Sequence, residues 1–243
     1  MLRPLACLAI LLLSAAPAAA GDLVEPRLTL PSAARQQPHV ALTLDACSGK
    51  ADGRIIKALV DNRIPATIFV TARWLKGNAA SLKVMMAHTD LFQIENHGAR
   101  HVPAVDHPLS VFGIKAAGSA AAVRQEISGG ATAILAATGH VPRWFRGATG
   151  KYSRSAMAIV TSQGEAVAGY SLVADDGARL GTQATAHRIL KARDGDVIIA
   201  HVNHPERPAG KGVVDGILAL KAKGYVFIRL GTPPRPRKRP RQS

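Results

Sequence analysis

The chain has 243 residues, 47% of them hydrophobic and 19% charged, which suits one α/β domain near the usual ceiling of about 250 residues. That balance excludes a disordered chain, and a single apolar run near the start excludes a protein with several membrane spans. The formal net charge of +15 is strongly basic but unevenly placed.

Residues 1–20 carry Arg3, an apolar stretch over residues 5–13 and the small residues Ala18, Ala19 and Ala20. That order is expected of a secretory signal peptide, and the stretch is shorter than the roughly 20 residues that span a bilayer. The expected location is therefore periplasmic or secreted. Cys7 falls in the segment to be removed, which leaves Cys47 alone and allows no internal disulfide.

A linker is expected over 21–38 and the folded domain over 39–231. Within it, short β-rich runs (His39–Ala46, Ala66–Val70, Phe92–Asn96, 143–146, 169–173, 196–201, 225–230) alternate with amphipathic or alanine-rich segments (Gly53–Asp61, 79–88, Ala120–Thr138, 153–163, 183–192, 212–223). Strands recurring between helices are parallel strands joined by crossovers. In Gly53–Asp61, Ile55, Ile56, Leu59 and Val60 fall at helical spacing after Asp52, an expected N-cap. Residues 102–117 contain Pro103, Pro108 and Gly113 and read as a surface loop. The last segment, 232–243, has Arg235, Arg237, Lys238, Arg239 and Arg241 among prolines with no acidic residue. It reads as an extended tail seeking polyanions, anionic lipids or acidic envelope polymers rather than nucleic acid.

Titratable residues stand at the carboxyl ends of the expected strands. The first ends at Asp45, the third runs into His97 and His101, the fourth ends at Arg146, the fifth precedes Asp175 and Asp176, and the sixth ends at His201. In parallel α/β folds those ends share one rim, where ligands bind. His97 and His101 are spaced i, i+4, so a helix there would put both imidazoles on one face to share a divalent metal; on a polar turn they would only meet solvent. Asp45 closes an apolar strand and needs either a helix to cap or a charged partner. The remaining histidines, His39, His88, His107, His140, His187 and His204, read as loop residues.

Together these pieces resemble the polysaccharide deacetylases with a NodB-homology domain, a carbohydrate esterase family, across roughly residues 39–230. Thr43-Leu44-Asp45-Ala46 is similar to the family's T-F-D-D, and His97-Gly98-Ala99-Arg100-His101 to its H-S-x-x-H. Residues 145–150 (FRGATG) stand in place of F-R-P-P-Y-G, residues 170–176 resemble its W-S … D-W segment, and residues 198–201 its closing L-x-H.

The resemblance implies a single-domain, distorted (β/α) barrel of about seven parallel strands. It also implies metal-dependent hydrolysis of an N- or O-acetyl group on a polysaccharide, with zinc the expected metal. His97 and His101 would hold that metal and Asp45 would be the general base, kept ionised by Arg146. His201 would be the general acid, oriented by Asp176 with Asp175 in reserve, and a backbone N–H near Thr149 would meet the oxyanion.

The chain departs from the pattern where the second aspartate, normally the third ligand, is Ala46. Asp45, Asp52 and Cys47, in that order, are the candidate replacements. Gly98 replaces a serine, and Thr149 a tyrosine. Two other functions fit: a non-catalytic glycan-binding protein on the same fold, with Ala46 recording loss of the metal, or an envelope adhesion or scaffold protein working through its basic tail.

Overall fold

The computed structural model describes residues 23–31 and 36–233. The expected signal peptide, and the tail from residue 234, lie outside the described residues. The first three strands, β1 (His39–Ala46), β2 (Ala66–Val70) and β3 (Phe92–Asn96), have the expected bounds. Their residues alternate between two buried environments, as a strand's period of two requires. Val40, Leu42, Leu44 and Ala46, with Ile68, Val70 and Ile94, join the main apolar cluster beneath the helices. Thr43, Asp45 and Phe69 point the other way, into the barrel, where Phe69 packs with Trp144 and Ala168.

Helix α1 (Gly53–Asp61) starts where Asp52 accepts the Arg54 N–H at 3.0 Å, and it buries Ile55, Ile56 and Leu59. Truncating a fully buried leucine such as Leu59 would cost about 2–5 kcal/mol. Helices α2 (Ala72–Gly77) and α3 (Ala79–Ala87) precede β3; α2 has no counterpart among the expected elements, six residues being too short for a helical period to show. The expected surface loop 102–117 contains a small hairpin, β4 (Ser110–Val111) with β5 (Ile114–Lys115). Helix α4 (Ala120–Thr138) is capped by Ser119 and ended by Gly139, whose φ is 71°.

There follow β6 (Trp144–Phe145), α5 (Arg154–Ser162), β7 (Ala166–Val167), β8 (Leu172–Val173), α6 (Thr182–Ile189), β9 (Val197–His201), α7 (Ala209–Ala222) and β10 (Val226–Ile228). The expected strand 169–173 is thus confined to its last two residues, and β7 was not expected.

The main sheet is parallel, in the order β7-β6-β3-β2-β1-β9-β8, and β10 pairs with the first residues of β1. Its outermost members, β7 and β8, are joined by residues 168–171, which can span only about 17 Å. Seven flat strands would place their outer edges roughly 29 Å apart, so the sheet must curl into a distorted barrel.

Residues 23–31, expected within a linker, instead lie along this seam. Val24 N and Tyr152 N each donate to the other residue's carbonyl, at 2.8 and 2.9 Å, and Leu30 N donates to Gly195 O at 2.8 Å. Gly169 admits the Pro26 carbonyl so closely that a Cβ there would lie 2.0 Å from it. The folded unit therefore takes in part of the expected linker. The strand registers set Asp45 opposite both Phe69 and His201, Val70 opposite Asn96, and Asn96 opposite Phe145. The carboxyl ends of β1, β2, β3, β6 and β9 accordingly meet at one rim.

Candidate active site

Arg146, immediately after β6, is fully buried inside the barrel. Its guanidinium donates to Asp45 Oδ1 at 2.9 Å, Thr43 Oγ1 at 2.8 Å, Gly169 O at 3.0 Å and Ala168 O at 3.2 Å. The group lies 4.2 Å from the centre of the Phe69 ring. A buried cation costs several kcal/mol unless paired and hydrogen-bonded, and here it is both. Burial alone would raise the Asp45 carboxyl, but Arg146, with His97 and His201 behind it, outweighs burial and holds the group below the ordinary carboxylate range.

The histidine pair sits on a loop and not on the helix that i, i+4 spacing suggested. Gly98 and His101 take left-handed φ values of 88° and 66°, so the chain doubles back and sets the two rings 4.9 Å apart at 62°. The loop is tied from two sides. Ala72 N and Arg73 N, at the start of α2, donate to Gly98 O and Ala99 O. From α4, buried Glu126 accepts Arg100 N at 2.9 Å and Val102 N at 3.1 Å. Sequence reasoning missed Glu126; the available signal was a carboxylate on the apolar face of α4, three residues after Val123. A Cβ at position 98 would lie 2.5 Å from Glu126 Oε1, which accounts for glycine where the family pattern has serine.

His97 donates from Nδ1 to the Arg146 carbonyl at 2.6 Å, leaving Nε2 as the acceptor nitrogen. That nitrogen faces Cys47 Sγ at 3.4 Å and Asp45 Oδ2 at 3.7 Å. Donor atoms of Cys47, His97 and His101 all lie within 4.8 Å of one another, a set fit to hold a metal ion. Asp45 is not a member of it, and Asp52 is spent as the α1 cap and on its pair with Arg54. The candidate expected last, Cys47, is thus the one beside both histidines. Ala46 belongs to the main apolar cluster and faces away from them.

At the end of β9, Asp175 holds His201 twice. It accepts the backbone N–H at Oδ2 (2.7 Å) and pairs with ring Nδ1 at Oδ1 (2.9 Å). Burial would lower the imidazole, but Asp175 and the nearby Cys47 prevail and raise it well above its ordinary value. Asp176, expected as the orienting residue, instead turns out to Arg179 at 3.2 Å, with half its side chain exposed. The two aspartates follow one another in a turn, and only the backbone course decides which points inward. Thr149 lies in a tight turn (Ala148–Gly150) at φ 69°, with its buried Oγ1 unpartnered.

A cavity of about 460 Å³ lies over this rim, lined by Asp45, Cys47, His101, Thr149, Tyr170 and His201 among others. A larger hollow of about 850 Å³ lies by the amino ends of β6 and β7, beside His140, Arg143 and Glu165, and includes none of these rim residues. Convergent polar groups, not volume, mark the smaller one as the candidate site.

The family profile described as Polysaccharide deacetylase matches residues 32–168. No relative was found among curated protein sequences. Among solved structures the chain is similar to a peptidoglycan N-acetylglucosamine deacetylase (TM-score 0.69, 19% identity, 84% of this chain and 90% of that one). It is similar also to a family 4 carbohydrate esterase from Streptomyces lividans in complex with acetate (TM-score 0.60, 22% identity, 78% and 91%). A third is a pseudoenzyme of carbohydrate esterase family 4 from Bacillus anthracis (TM-score 0.63, 21% identity, 80% and 64%), of which the chain spans a little under two thirds. At these identities the likenesses show the fold.

Proposed function

This chain belongs to the polysaccharide deacetylase family, and from that premise we propose that it is an exported, metal-dependent hydrolase removing N- or O-acetyl groups from a cell-envelope or environmental polysaccharide. The observation that carries the reading is the convergence on one cavity of an Arg146-held carboxylate, an Asp175-held imidazole and His101, with His97 buried directly behind it. Export is supported by the amino-terminal sequence pattern alone; no helix among the described residues is long and apolar enough to cross a membrane.

His97 and His101, with a third donor from the end of β1, would hold the metal. When bound, a divalent metal supplies polarisation of the acetyl carbonyl and acidification of a water. Asp45, kept ionised by Arg146, takes the proton from the attacking water. His201, kept protonated by Asp175, gives its proton to the leaving amine or alkoxide as the acyl bond breaks. One water is consumed, and acetate and a free amine or hydroxyl result.

Acetate release from acetylated glycan oligomers by the zinc-loaded protein tests this. His201→Ala is expected to lower kcat by about 10²–10⁴-fold, the range for a general acid, and His97→Ala to abolish activity. Absence of acetate release from metal-loaded wild-type protein would overturn the hydrolase. It would favour a non-catalytic glycan-binding protein, the reading to which Ala46 in place of the second aspartate lends support. One similar solved structure is of a pseudoenzyme mutant with restored enzymatic activity, so both states occur on this fold.

A further inference from the structure

The third metal donor follows from the alternation of β1 and rests on the deacetylase reading above. Even positions 42, 44 and 46 pack under the helices, and odd positions point into the barrel. In place of the family's second aspartate stands Ala46, sealed in the apolar cluster. The next inward position is Cys47, a free and buried thiol.

Three observations bear on it. First, Cys47 Sγ lies 3.4 Å from His97 Nε2; in a tetrahedral zinc site with bonds of about 2.3 Å to sulfur and 2.0–2.1 Å to nitrogen, that separation is roughly 3.6 Å. Second, His97 has its other nitrogen committed to a backbone carbonyl at 2.6 Å, the outer-shell arrangement of a ligating imidazole. Third, the backbone around the thiol is fixed: Thr71 Oγ1 donates to Cys47 O at 2.7 Å, Thr71 N to Ala46 O at 3.3 Å, and Asn203 Nδ2 to Ser48 O at 2.9 Å. The rival carboxylates are engaged, Asp45 Oδ1 by Arg146 and Asp52 by Arg54.

We propose that Cys47 is the third protein ligand, as a thiolate beside His97 and His101. The exchange keeps one negative charge in the donor set while replacing a hard oxygen with a soft sulfur. The site therefore takes zinc or cobalt in preference to magnesium, calcium or manganese. The role also explains a lone cysteine at a polar rim, where a merely packed residue would need no sulfur.

The test uses the full chain, stripped of metal and titrated with cobalt(II). The expected result is one cobalt per chain with a sulfur-to-cobalt charge-transfer band in the near ultraviolet, retained in Cys7→Ser and lost in Cys47→Ser. Zinc affinity of Cys47→Ser should fall by at least about 100-fold, beyond the 10–100-fold typical of an outer-shell partner. Cys47→Asp, which restores a charged donor, should bind one metal without the band and with its preference moved toward manganese; it also serves should the serine variant fail to fold. Wild-type protein that binds one cobalt without the band, or a folded Cys47→Ser variant with wild-type zinc affinity, would overturn Cys47 as a ligand while leaving the deacetylase reading intact. Wild-type protein that binds no metal would overturn both.

Discussion

At the scale of single residues, the polar interior is held by pairs, each with its own charge logic. Arg146 with Asp45 and Asp175 with His201 keep charged forms charged. Glu165, on the far side of β3, does the reverse. It is buried, accepts the Asn96 side-chain amide at 3.0 and 3.1 Å, and lies near Glu95. Burial chiefly, with a push from Glu95 and against the Asn96 bond, raises its carboxyl from 4.5 to about 8. Between those values the folded chain holds a proton that the unfolded chain has lost. Stability from this group is thus greatest below about pH 4.5 and falls as pH rises toward 8. The fall amounts to roughly 5 kcal/mol at 1.36 kcal/mol per unit. Glu165→Gln keeps an acceptor for Asn96 and removes the titration. Urea unfolding should show the variant more stable than wild type at pH 8 and nearly equal at pH 4; parallel profiles for the two proteins would refute the assignment.

At the scale of elements, the site depends on how closely α4 approaches the loop after β3. Gly130 makes that approach possible, since a Cβ on it would lie 2.1 Å from Asn96 Oδ1 and 2.8 Å from the Gly98 backbone. Two effects of Gly130→Ala oppose one another. Helix propensity favours alanine by about 1 kcal/mol, while overpacking costs about 1–3 kcal/mol. Because the obstacle includes backbone, packing should win. The variant is expected to unfold at lower urea and to bind zinc more weakly, as the loop carrying His97 and His101 is pushed from α4. An alanine variant more stable than wild type would show that α4 does not clamp the loop. Similar reasoning explains why the histidine pair needs no helix: the i, i+4 histidines meet through left-handed φ at Gly98 and His101, a turn that spacing alone cannot distinguish from a helical face.

At the scale of the whole molecule, the sheet's two outermost strands, β7 and β8, are brought together by the short connection 168–171, and residues 23–31 lie along that seam. Besides their backbone bonds they bring Glu25, whose carboxylate accepts the Tyr170 hydroxyl at 2.6 Å and pairs with Lys151 at 3.4 Å beside the cavity. Were this segment a linker, a chain begun at residue 36 would be as stable as one begun at residue 21. With five backbone hydrogen bonds between residues 24–30 and the domain, each worth about 0.5–1.5 kcal/mol net, the shorter chain should instead unfold at clearly lower urea. Equal denaturation midpoints would restore the linker.

What the sequence determined by itself was whatever repeats at short range. The bounds of β1, β2 and β3 and the alternation that makes the sheet parallel follow from periodicity. So does the gathering of Asp45, His97, Arg146 and His201 at one rim, since strand ends in a parallel sheet converge whatever the loops do. The tertiary structure decided what depends on the direction of single residues in loops and on contacts distant in sequence. It turned Asp175 inward rather than Asp176, and it seated residues 23–31 against the seam. At the histidine pair it set the thiol of Cys47, the candidate third donor placed behind Asp45 and Asp52 on the sequence alone.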